Sequence, residues 1–134
     1  MMRKVSEPPP RYWTKESIEI LAGIFSLPSH DSMQDWAYEV ADPKRLDEFF
    51  QALKLQENSD VQFTLMDIIL QCLEESDVDL LNSELAGEIS KYLKENFSTH
   101  IYQVWYWSAF DSEMKDCFRI SPLIREVWDQ ETYI

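Results

Sequence analysis

The chain has 134 residues, 45% hydrophobic and 28% charged, with 25 acidic side chains against 12 basic ones and a net charge of −13. That size and balance exclude a wholly disordered chain and predict one domain around a single core. The charge excludes nucleic acid as a direct ligand, because so negative a surface repels phosphate and attracts basic surfaces.

Two glycines, Gly23 and Gly87, are too few for an all-β chain, which needs turn glycines at close intervals, so helices are expected. No apolar run is long enough to span a bilayer, and the opening MMRKVSEPPPRYW lacks the apolar stretch of a signal peptide. A cytoplasmic location without membrane contact is the expectation. Cys72 and Cys117 form neither a C-x-x-C pair nor a disulfide framework, and both are expected as core thiols.

Residues 1–11 read as a flexible arm, since Pro8, Pro9 and Pro10 exclude helix and no apolar periodicity precedes Tyr12. Its cations Arg3, Lys4 and Arg11 are too few to hold nucleic acid or anionic lipid at physiological salt. Residues 12–134 read as the helical domain. Thr14 caps a first helix with Ile18, Leu21, Ile24 and Phe25 on one face, stopped near Pro28. A short helix follows on Met33, Trp36, Ala37 and Val40. Asp42 and Pro43 then start a third, carrying Leu46, Phe49, Phe50 and Leu53 at i, i+3, i+4 and i+7.

Asn58 to Asp60 cap a wide apolar helix running from Val61 past Leu73, whose breadth predicts burial on more than one side. After the linker ESDVD, a helix on Leu81, Leu85, Ile89, Tyr92 and Leu93 ends near Asn96. Ser98 is expected to cap the next, with Ile101, Val104, Trp105 and Ser108 on one face, so that Trp105 packs inward and Trp107 is left open. DSEMKDCFRI reads as loop, and Ser121 with Pro122 opens a last helix on Leu123, Ile124, Val127 and Trp128. The fold class is therefore all-α: a compact single-domain bundle of six or seven helices.

Catalytic signals are missing. His30 and His100 have no partner at metal-ligand spacing, and there is no nucleophile elbow or phosphate-binding loop. Asp35 and Glu39 stand one turn apart, but exposed like charges without a pocket cannot divide acid and base roles. No enzyme activity, cofactor or metal is expected.

Fifteen carboxylates against three bases lie between Asp31 and Glu88, a local net charge of −12 that accounts for nearly the whole imbalance. That distribution suits docking on a basic partner. The candidate contacts are Asp35, Trp36, Tyr38, Glu39, Asp42, Asp47, Glu48, Glu74, Glu75, Asp77 and Asp79, with Trp36 and Tyr38 as aromatic anchors amid the acids.

Three stretches, DWAYEVADPKRLDEFF, LMDIILQCLEES and HIYQVWYWSAFDSEMKDCFRISPLIREVW, resemble small acidic helical immunity proteins of bacterial toxin systems, including contact-dependent growth inhibition. The likeness spans Met33 to Trp128 and is one of size, charge and helical layout. It implies a protein that binds the toxic domain of a cognate toxin, commonly a nuclease, and blocks its active site or substrate entry. Such families vary the binding surface with the toxin, so the resemblance assigns no individual contact. The alternative from the charge alone is an acidic adaptor or DNA mimic that docks on a basic host protein.

Overall fold

A computed structural model describes residues 4–29, 33 and 35–133. Among them the architecture is all-helical: α1 (Lys15–Phe25), α2 (Trp36–Val40), a 3₁₀ turn (Pro43–Arg45), α3 (Leu46–Leu53), α4 (Ser59–Glu75), α5 (Val78–Leu81), α6 (Glu84–Glu95), α7 (Phe97–Ser108) and α8 (Ser121–Thr132). The chain divides into two units, one of Tyr12–Ser76 and one of Met1–Arg11 with Asp77–Ile134. His30, Asp31 and Arg3 lie outside the described residues.

In the unit Tyr12–Ser76, α4 is the central element, with α1, α2 and α3 packed against it. Its breadth of burial matches the sequence expectation: Val61, Phe63, Leu65, Met66, Ile68, Ile69, Leu70, Cys72 and Leu73 are all buried. Local chemistry sets the helix starts. Thr14 Oγ1 accepts from the Ser17 backbone N–H at 3.0 Å, and Asn58 Oδ1 accepts from those of Asp60 at 2.8 Å and Val61 at 3.2 Å. Asp42 accepts from the Lys44 N–H at 3.1 Å, but the turn it starts is 3₁₀, and the α-helix begins only at Leu46.

Helix α1 ends at Phe25, before Pro28, because Ser26 takes the left-handed conformation (φ 56) and returns its N–H to the Ala22 carbonyl. The inward face of α1 is Ser17, Leu21 and Phe25, and Ile24, expected inside, is exposed. Arg45 ties α1 to α3: it donates to the Phe25 carbonyl at 3.0 Å and lies over the Phe25 and Phe49 rings at 5.7 and 5.2 Å.

In the other unit, α8 packs on α7 and α6. The expected single helix after ESDVD is two, because Asp77 caps α5 and Ser83, accepting from the Ala86 N–H at 3.3 Å, starts α6. Ser98 is not a cap. Helix α7 starts at Phe97, directly after Asn96, which also ends α6. Ser121 Oγ donates to the Trp107 carbonyl at 2.7 Å and fixes the start of α8 on the end of α7.

The face of α7 also differs from the sequence reading. His100, Gln103, Val104, Trp107 and Ser108 are buried, whereas Ile101, Tyr102 and Trp105 are only partly covered. Trp107, left open by the sequence, is thus the inward tryptophan, and Trp105, expected inside, is only half-buried. The cause is polar content: this helix buries an imidazole, an amide and a hydroxyl, so its inward stripe does not read as apolar.

The loop between α7 and α8 is held by Arg125. Its Nε donates to the Ser108 carbonyl at 2.6 Å, and Nη2 donates to those of Ala109 at 2.7 Å and Ser112 at 3.1 Å. Nη1 lies 2.9 Å from the Met114 sulfur, and the guanidinium is 5.5 Å from the centre of the Phe110 ring. Ala109, at φ 51, is left-handed where glycine is usual, and the Arg125 contact to its carbonyl supports that turn. Residues 4–11 form no helix, as the prolines require. They are packed before Tyr12, contrary to the reading of a bare arm: Pro8 is buried and Arg11 donates to the Thr99 carbonyl at 3.1 Å.

Candidate partner-binding surface

The acidic residues named from sequence do not all belong to one unit. Asp35, Tyr38, Glu39, Asp42, Asp47, Glu48, Glu74 and Glu75 lie in Tyr12–Ser76, whereas Asp77 and Asp79 lie in the other unit. Trp36 is corrected from surface anchor to core residue: it is 2% exposed, and its indole N–H donates to the Pro28 carbonyl at 2.8 Å. Tyr38, two residues on, is 60% exposed and stands between the exposed carboxylates of Asp35 and Glu39. Helix α2 therefore turns one aromatic inward and presents the other with acids on both sides.

Several carboxylates have local structural work. Asp42 caps the 3₁₀ turn and Asp77 caps α5. Glu48 takes a bidentate pair from Arg45, both contacts at 2.9 Å, and that hydrogen bonding holds its carboxyl below the usual range. Asp47 accepts from Gln51 at 3.2 Å and Glu75 from Gln71 at 2.9 Å. Asp47 and Glu48 also occupy the first turn of α3, where the positive pole of the helix favours them.

Glu74 and Glu75 stand at the opposite kind of pole. They end α4, whose last turn carries no basic residue, so both charges face the negative end of the helix dipole. For the exposed Glu75 this placement costs about 0.3–1 kcal/mol. The Cys72 thiol reports the same crowding. Burial pushes it up to about 12, opposed by a backbone N–H from Asp42, and the carboxylates of Glu75 and Asp42 add to the rise while Arg45 resists it. The end of α4 and the turn after α2 thus bring Asp42, Arg45 and Glu75 to bear on one buried sulfur. Cys72 is the core thiol expected from sequence, but Cys117 is only half-buried and donates to the Met114 carbonyl at 3.0 Å.

The second unit contains a buried polar group that the sequence weighed only as a metal ligand. His100 is fully buried, with Nδ1 hydrogen-bonded to Gln103 and the Tyr92 ring 5.8 Å away. Its Nε2 has no hydrogen-bond partner among the described residues. Burial lowers the imidazole to about 4, against the Gln103 hydrogen bond and with help from the nearby Arg11 charge. His100 is therefore neutral near neutrality. Among the described residues no three histidine, cysteine or acidic side chains are grouped to hold a metal ion, and no helix is long and apolar enough to cross a membrane. No protein-family model, curated protein or solved structure matches the chain.

Proposed function

We propose that this chain is a binding protein for a macromolecular partner with a basic surface, and that the partner is a cognate bacterial toxin domain of the nuclease kind, blocked at its active site or substrate entry. The observation that carries the reading is the acid at the end of α4. The negative pole of α4 disfavours carboxylates where Glu74 and Glu75 stand. A negative potential aimed at a cationic partner gives such charges a use, because it speeds and orients encounter. Exposed Tyr38 between Asp35 and Glu39 supplies the aromatic contact typical of interface centres. The choice of a toxin as partner rests on the resemblance of the three stretches between Met33 and Trp128.

The test compares the wild-type chain with the double variant Glu74→Lys and Glu75→Lys as bait in host-cell extract at low and moderate salt. The captured protein is then identified and co-expressed with each bait. The variant is expected to capture at least about tenfold less partner, as loss of close interfacial charge pairs produces. Growth rescue from a captured toxin domain by the wild-type chain alone supports the full reading; capture of a basic housekeeping protein instead favours the adaptor. Undiminished capture by the variant overturns the acidic surface in either role.

A further inference from the structure

The unit of Met1–Arg11 with Asp77–Ile134 holds an open cavity of about 340 Å³, lined by Lys4, Val5, Ser6, Trp105, Phe110 and Asp111. Its aromatic walls are fixed from behind. Phe110 is buried, with the Trp128 ring at 5.6 Å edge-on and the Arg125 guanidinium over its face. Trp105 is stacked with Tyr102 at 5.6 Å and 30°, yet remains half-exposed. The rest of the lining comes from the segment Lys4–Ser6, which is secured further along by buried Pro8 and by the Arg11 bond to Thr99. Rings held in place before a ligand arrives lose little freedom on binding.

We propose that this cavity binds a small aromatic zwitterion, the chemistry of a free aromatic amino acid. Half-exposed Trp105 is the ring available to stack on a flat ligand, and buried Phe110 lies behind it as apolar lining. Two exposed charges of opposite sign, the Lys4 ammonium and the Asp111 carboxylate, complement a carboxylate and an ammonium on one small molecule. The volume is near the lower end of the roughly 300–1,000 Å³ range of ligand pockets, which suits one amino acid and excludes a dinucleotide. A bare nucleobase or a hydrocarbon would satisfy the rings and leave both charges unused. The site lies in a different unit from Tyr38, Glu74 and Glu75, so its occupancy and partner docking can succeed or fail separately.

The experiment follows the five tryptophan indole N–H signals of ¹⁵N-labelled protein by NMR, with Trp105→Phe assigning the signal of interest. Titration with L-phenylalanine is expected to shift the Trp105 signal saturably and leave that of Trp36, in the other unit, in place. Phenylacetate and 2-phenylethylamine, each lacking one charge, should bind about fivefold or more weakly, and Asp111→Asn and Lys4→Gln should weaken L-phenylalanine similarly. Both residues are exposed, and an unmoved signal from Trp107, buried in the same unit and assigned by Trp107→Phe, checks that each variant is folded. A Trp105 signal that stays put up to the solubility limit of L-phenylalanine overturns the site. Equal affinity for the three compounds, or wild-type affinity in both charge variants, overturns the zwitterion.

Discussion

Lowering the pH from neutrality to about 4 is expected to remove roughly 3 kcal/mol of folding stability through His100 alone. In the folded chain its imidazole is buried and titrates near 4, whereas the unfolded chain takes up a proton near the ordinary 6.5. Between those two values the unfolded state binds a proton that the folded state refuses. Stability is therefore complete above 6.5 and falls as the pH drops, by at most about 1.4 kcal/mol per pH unit. Below the folded value both states are protonated and the loss stops. The separation of about 2.5 sets the total, from the cited values. The assay is urea unfolding followed by far-UV circular dichroism across this range, for the wild type and for His100→Phe. The variant loses the hydrogen bond to Gln103, which costs about 1–3 kcal/mol at every pH, but it has no group to titrate at this position. Glu48 contributes only at the acid end, below its ordinary value of 4.5, and does so in both proteins. The wild-type curve should drop steeply where the variant stays nearly level. Parallel curves would refute the burial of a neutral imidazole.

Arg125→Lys should destabilise the chain by about 2–4 kcal/mol in the same unfolding assay, because an ammonium cannot reproduce the planar fork that reaches the Ser108, Ala109 and Ser112 carbonyls together. A loss below about 0.5 kcal/mol, the usual scale for a surface substitution, would show that the loop holds itself. A thiol alkylating agent at neutral pH should modify Cys117 under native conditions and leave Cys72 unmodified, since Cys72 is buried and its thiol is raised to about 12. Peptide mass spectrometry reads both sites, and equal labelling would show that the core around α4 opens readily.

The helix starts at Thr14, Asn58 and Asp42 are legible in the sequence because a short oxygen-bearing side chain accepts a backbone N–H only a few residues on. Helix α4 is legible for another reason, as no exposed arrangement accommodates apolar residues spread so widely around one helix. Helix α7 misleads the same reasoning. Hydrophobicity ranks Ile101 and Trp105 above His100 and Gln103, but a hydrogen bond between the imidazole Nδ1 and the amide offsets part of their burial and lets them enter the core together. Trp36 and Tyr38 show the equivalent difficulty at the candidate surface. Both are aromatics among acids, and only the packing of α2 on α4 decides which is inside. Which carboxylates cap or pair within the chain is partly readable, as at Asp42. The Arg45 pairing with Glu48 depends on where the turn before α3 points the guanidinium.

Asn96 ends α6 and begins α7, with φ −121 and ψ 35, its own N–H and side-chain amide both returned to the Tyr92 carbonyl at 3.0 Å. A joint of one residue has no slack. Adding a residue there would advance α7 by about 100° around its axis, enough to carry the imidazole of His100 away from its place in the core and to bring half-covered aromatic rings inward. The loop at 109–120 has many ways to absorb the same insertion. Length, and not composition, is therefore the property of this junction that the fold cannot forgive.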